Sequence, residues 1–130
     1  MTLDQLLAEV FDRGLRDGLE SLNPTERELF LIQDFIIEYE MNGLSGYFYN
    51  RLPNLNAIAE TVASMQKHGF VQLGNILSEA TKLFDGYSKP VTTSTWRETL
   101  KEYDPMNRLR DLSDRMEALK GYGLREADRG

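Results

Sequence analysis

The chain has 130 residues, 41% of them hydrophobic, which suits one packed core and is too apolar for a disordered segment. Its formal charge is −6, which disfavours sequence-independent attraction to nucleic acid or to an anionic membrane. The absence of cysteine excludes disulfides, thiolate metal sites and thiol nucleophiles.

Thr2-Leu3-Asp4-Gln5 has the form of a capping box. Leu3, Leu6, Leu7, Val10, Phe11 and Leu15 follow it at helical spacing, with Glu9–Arg13 and Asp12–Arg16 as i,i+4 pairs in the favourable acid-first order. This helix weakens near Gly18. Asn23-Pro24-Thr25-Glu26 begins the next, with an Asn cap, Pro at the first helical position and an acid near the positive end of the dipole. From Leu29 to Ile37 only Gln33 and Asp34 are polar, so this helix is expected to run through the centre and to end at Asn42-Gly43. A short aromatic turn or helix, Tyr47-Phe48-Tyr49-Asn50, leads to Pro53.

Asn54 or Asn56 can cap a third helix carrying Leu55, Ile58, Ala59, Val62 and Met65, stopped by Gly69. Phe70, Leu73, Ile76, Leu77, Ala80 and Phe84 form another amphipathic stripe, closed by Gly86. A loop around Pro90 reaches a second capping box at Thr95-Trp96-Arg97-Glu98. Asp104-Pro105 opens the last helix, with Leu109, Leu112, Met116 and Leu119 inward. The pattern predicts an all-α domain over residues 1–121, a single compact bundle of about six or seven helices, with 122–130 as a tail. The longest apolar run, Leu29 to Ile32, is too short to span a membrane, and Met1-Thr2-Leu3-Asp4 lacks the basic start of a signal peptide. A cytoplasmic protein is expected.

The catalytic templates lack their members. His68 is the only histidine, so His-bearing triads, zinc sites and the paired Glu-x-x-His of di-iron bundles are incomplete. No phosphate-binding Gly-x-x-x-x-Gly-Lys-Ser/Thr loop occurs, and Gly43-Leu44-Ser45-Gly46 is not a nucleophile elbow. His68 reads as a cation at a helix C-terminus. Asp34 and Glu38, four apart, share a helix face and read as a hydrogen-bonded edge before they read as a hydrolase pair. Neither a catalytic activity nor a cofactor or metal is expected.

Glu38-Tyr39-Glu40-Met41-Asn42-Gly43-Leu44-Ser45-Gly46-Tyr47-Phe48-Tyr49-Asn50 is dense in polar, glycine and aromatic residues at one helix junction. A buried carboxylate there needs donors such as a Tyr hydroxyl or the Asn50 amide. Glu38, Asn42, Gly43, Tyr47, Phe48 and Asn50 form either a structural clasp or the floor of a binding cleft. The aromatic corner, Met41 and Met65 are either core or the contact of a homodimer.

At these residues the chain resembles a family of small bacterial helical proteins, largely a domain of unknown function, that includes the DNA-mimic proteins. The family pattern is Glu, a spacer, Asn-Gly-Gly-Phe, one residue, Gln, aromatics, then Asn. Glu38 falls at the Glu, Gly43 at the second Gly, Leu44 at the Phe position, Tyr47 and Phe48 at the aromatics, and Asn50 at the final Asn. A helix pair like Ala57–Phe84 comes after it, and the family's Asp-rich last helix resembles Asp111-Leu112-Ser113-Asp114-Arg115-Met116. Asn42 stands where the first Gly is expected, and Gly46 replaces the Gln, removing a hydrogen-bonding side chain from any shared polar site. The resemblance implies the helical fold and a mimic's role, with carboxylates standing where phosphates would.

The charge supplies candidates for that role. Residues 1–65 hold eleven acids against four bases, and residues 66–130 ten against eleven, so the excess is N-terminal. Asp4, Glu9, Asp12, Asp17, Glu20, Glu26, Glu28 and Asp34 form the candidate face for a protein partner with a basic surface, such as a DNA-binding protein. No direct binding to nucleic acid and no membrane association are expected. The alternative is an immunity-type inhibitor or adaptor that covers a basic protein without imitating DNA; the blandest reading is a solvated helix surface.

Overall fold

In the computed structural model, which describes residues 2–120, helix α1 (Leu3–Asp17) starts from the expected capping box. The Thr2 hydroxyl accepts from the Gln5 N–H, the Gln5 side chain accepts from the Thr2 N–H, and Gly18 (φ 90°) closes the helix. Leu7, Val10 and Gly14 are its buried face, turned onto α2, where Phe11 stacks on Phe30 with centroids 5.0 Å apart. Each fully buried aliphatic side chain contributes about 1.5–3 kcal/mol to holding α1 down.

One 3₁₀ turn (Leu19–Ser21) leads to α2 (Pro24–Arg51), capped reciprocally by Asn23 and Glu26. The i,i+4 pairs expected on α1 do not form. Arg13 reaches across to Glu26, and Arg16 turns to Asp17 at 3.2 Å. Arg13 lies beside the buried Gly14 face, where the half-buried Glu26 is a better-ordered partner than the exposed Glu9.

α2 breaks where the sequence places its end. Gly43 adopts φ 72°, ψ −178°, a conformation open almost only to glycine. The chain then re-enters helix at once, so of the two expected alternatives, turn or helix, Tyr47 to Asn50 form helix, as part of a second arm. Ile32, Phe35, Ile36, Tyr47 and Phe48, from both arms, form the centre of the core.

α3 (Leu55–Lys67) is capped by Asn54, whose side chain accepts from the Ala57 N–H. It ends in a Schellman-type turn: Gly69 takes φ 90°, the Phe70 N–H donates to the Met65 carbonyl at 2.8 Å, and both side chains are buried. α4 (Val71–Lys82) returns along α3.

Two boundaries depart from expectation. The capping box before α5 (Thr93–Tyr103) is Thr92–Thr95, not Thr95–Glu98. Thr92 is already extended (φ −129°, ψ 158°), the backbone geometry of an N-cap. Asp104-Pro105 does not open the last helix; α6 runs from Arg108 to Lys120. Asp104 closes α5 through its own N–H and accepts from the Arg108 and Leu109 N–H groups at 2.6 and 3.0 Å. The turn between is completed by Asn107 at φ 55°, a conformation Asn tolerates better than most side chains.

Among the described residues there are six α-helices and no strand, and the second arm of α2 supplies a seventh helical segment. α2 packs on α1 and α3, and α6 packs on α4 and α2, giving one all-α bundle. α5 is held by aromatic contacts centred on Phe84, which stacks on Phe48, Trp96 and Tyr103. No described helix is long and apolar enough to cross a membrane. The expected tail, 122–130, lies outside the described residues.

Candidate functional site

The Gly43 kink brings together residues far apart along α2. Asp34 and Glu38 on the first arm face Asn50 and Arg51 on the second. Arg51 donates through Nη2 to both Asp34 oxygens, at 3.0 and 2.8 Å, and lies 5.5 Å from the Tyr47 ring centroid. Glu38 Oε1 accepts from the amides of Asn42 (3.1 Å) and Asn50. Phe35 meets Tyr47 edge-on at 4.7 Å inside the corner, where burial pushes the Tyr47 hydroxyl up to about 12. This network spans the bend and ties the two arms together. Asn42 contributes an amide to it, and a Cβ at Gly46 would collide with the Asn42 side chain.

Met65 and the aromatics Tyr47 and Phe48 are core, whereas Met41 is 74% exposed beside the kink.

The candidate acids divide into two groups. Asp4, Glu9, Asp12, Asp17 and Glu20 are exposed, and Glu9 and Asp12 lie on the side of α1 turned away from Leu7, Val10 and Gly14. Being three apart on a helix, their Cβ atoms are about 5–6 Å apart. Glu26, Glu28 and Asp34 are half-buried and serve the fold. Glu28 accepts from Lys67 at 3.2 Å and faces His68 Nε2 at 3.1 Å; these two neighbours, His68 first, hold its carboxyl below the usual range. The Asn23 N–H and then Arg13 do the same for Glu26. His68 is thus the C-cap of α3 and a tether to α2.

A further set of acids emerges on α6. Asp111, Asp114 and Glu117 are exposed at three-residue intervals. The Tyr39 hydroxyl donates to Glu117 at 2.7 Å. Burial, then that bond and the Asp114 charge, raise the Tyr39 phenol well above its ordinary value. Asp111 and Asp114 belong to the Asp-rich helix of the resemblance; Glu117 continues their spacing by one more turn.

Neither a curated protein nor a solved structure matches the chain. The model of one protein family, described as DMP19-like protein, does match, over residues 20–127. That span includes the kink, its clasp and all the helices from α2 onward, and the protein therefore belongs to the DMP19-like family.

Proposed function

We propose that this protein is a non-catalytic binding module of the DNA-mimic type, whose exposed carboxylates occupy the basic surface of a DNA-binding protein. The observation that carries the reading is membership of the DMP19-like family, shown over residues 20–127; the exposed acids of α1, which precede that span, are assigned the chemistry by their exposure and spacing. Glu9 and Asp12 stand at a spacing that side chains built to grip phosphates can accept. Arg16, which lies close enough to feel Asp12, is held by Asp17, so it does not close the face to an incoming cation. Exposed carboxylates of this kind steer association electrostatically, and the complex weakens with salt.

The test is affinity capture from host lysate at low salt, followed by reconstitution with the purified partner. The expected partner is a DNA-binding protein that elutes with salt and exchanges competitively between this chain and duplex DNA. A partner that stays bound in excess duplex would sink mimicry and point to an inhibitor that covers some other functional surface.

A further inference from the structure

An open groove of about 750 Å³ runs between α5 and α6, and its charge is opposite to that of the protein as a whole. Arg97 and Lys101 stand one turn apart on the α5 wall, Arg110 stands on the α6 wall, and all three are exposed. Trp96, Leu100 and Leu109 give the groove its apolar lining. Trp96 is braced from below by Phe84, stacked at 6.2 Å, and by Tyr49, edge-on at 5.7 Å.

The one carboxylate in the lining does not neutralise these cations. Asp104 is buried, and its two oxygens accept from the Arg108 and Leu109 N–H groups, so its charge is directed at the start of α6. Lys101 has only a loose contact to Glu98, 3.7 Å between two exposed side chains. Among the described residues, neither Arg97 nor Arg110 is paired with a carboxylate.

We infer that this groove binds an acidic peptide segment of a partner protein, with its carboxylates on Arg97, Lys101 and Arg110 and an apolar side chain against Trp96 and Leu100. Charge complementarity selects an anion, and the apolar lining selects one with hydrophobic groups attached. A long polyanion such as nucleic acid is disfavoured because the chain around the groove carries a net −6. A short segment with a few carboxylates faces Arg97, Lys101 and Arg110, and the one acid in the lining, Asp104, is turned to the start of α6. The inference is independent of the mimic reading, which uses the acids of α1.

The protein contains a single tryptophan, so its fluorescence reports on this groove. The full chain is titrated at low salt with a synthetic peptide of about twelve residues built from Asp, Glu, Leu and Phe. The expected result is a saturable change in Trp96 emission, with affinity weakened roughly tenfold or more in Arg97→Glu/Arg110→Glu. Both positions are exposed, and an unchanged urea midpoint confirms that the variant is folded. Replacing Leu and Phe of the peptide by Ser is expected to weaken binding as well. No saturable change, equal binding by the charge-reversed variant, or equal binding of the Ser peptide would each overturn the inference. So would a nucleotide or duplex DNA that saturates the signal where the peptide does not.

Discussion

Replacing Gly43 by Ala separates two readings of the longest helix by the sign of the effect. If residue 43 were an ordinary position in a 28-residue helix, Ala would stabilise it by about 0.8–1 kcal/mol. At φ 72°, ψ −178° a residue with a Cβ instead carries a backbone penalty of order 1–3 kcal/mol. No atom lies within 4 Å of the added Cβ, so the penalty is conformational and repacking of neighbours cannot relieve it. The narrower unfolded ensemble of Ala returns about 0.4–1 kcal/mol, leaving a net loss centred on about 1.3 kcal/mol and at most about 2.6 kcal/mol. Straightening α2 would be the other escape, but it would pull Arg51 from Asp34 and Asn50 from Glu38. Urea unfolding followed by far-ultraviolet circular dichroism measures the change, with Ala63→Gly on the exposed side of α3 as a reference for ordinary helix propensity. A Gly43→Ala protein as stable as the parent or more so, at an unchanged denaturant slope, would refute the kink and the clasp built on it.

The two groups of acids should respond differently to neutralisation. Glu9→Gln/Asp12→Asn is expected to leave unfolding stability within about 0.5 kcal/mol of the parent while weakening partner binding and flattening its salt dependence. Asp34→Asn is expected to lose about 1.5–3 kcal/mol, because Arg51 then stays half-buried without its carboxylate; equal stability effects from the two changes would contradict the division. Acid should find the same pairs. Glu26, Glu28, Glu60 and Glu79 are all held below the ordinary 4.5, so their stabilisation is present above that value and is lost as pH falls through the lower folded values. The urea midpoint should hold from pH 7 to about 5 and decline below 4.5, and a midpoint that persists to pH 3 would contradict these partners.

Elements fixed by short-range chemistry are legible in the sequence. The boxes at Thr2 and Asn23, the stop at Gly18 and the turn at Gly69 all arise from the hydrogen-bonding needs of helix ends within four or five residues. The start of α5 shows where that logic weakens: Thr92 and Thr95 are both capable caps within three residues of each other, and local rules do not choose between them. Asp104 reads as a start signal, and its carboxylate does cap the start of α6, but three residues later than the Pro suggests. Gly43 reads as a break with either a turn or a helix beyond it, since one glycine fixes a bend and leaves the next conformation to tertiary packing. Arg13 illustrates the limit for charge. The acid-first i,i+4 rule describes an isolated helix, whereas Arg13 lies against a second helix that offers Glu26.

The charge of −6 looks small until the paired groups are set aside. Arg13, Arg27, Arg51, Lys67 and Arg115 each hold a carboxylate on another helix or helix arm: Glu26, Glu60, Asp34, Glu28 and Glu79. Such pairs are close to neutral at a distance, so a partner meets the charges they leave behind. On α1 that remainder is acidic, with Glu9 and Asp12 outermost; between α5 and α6 it is basic, with Arg97 and Arg110 unpaired among the described residues. Net charge averages these two surfaces and hides both. The kink has a part in the separation, because folding the second arm of α2 back places Arg51 on Asp34 and keeps a half-buried cation and a half-buried acid out of the outer field. Sequence counts alone assign Glu9 and Glu28 the same weight, whereas the fold pairs Glu28 with Lys67 and leaves Glu9 exposed.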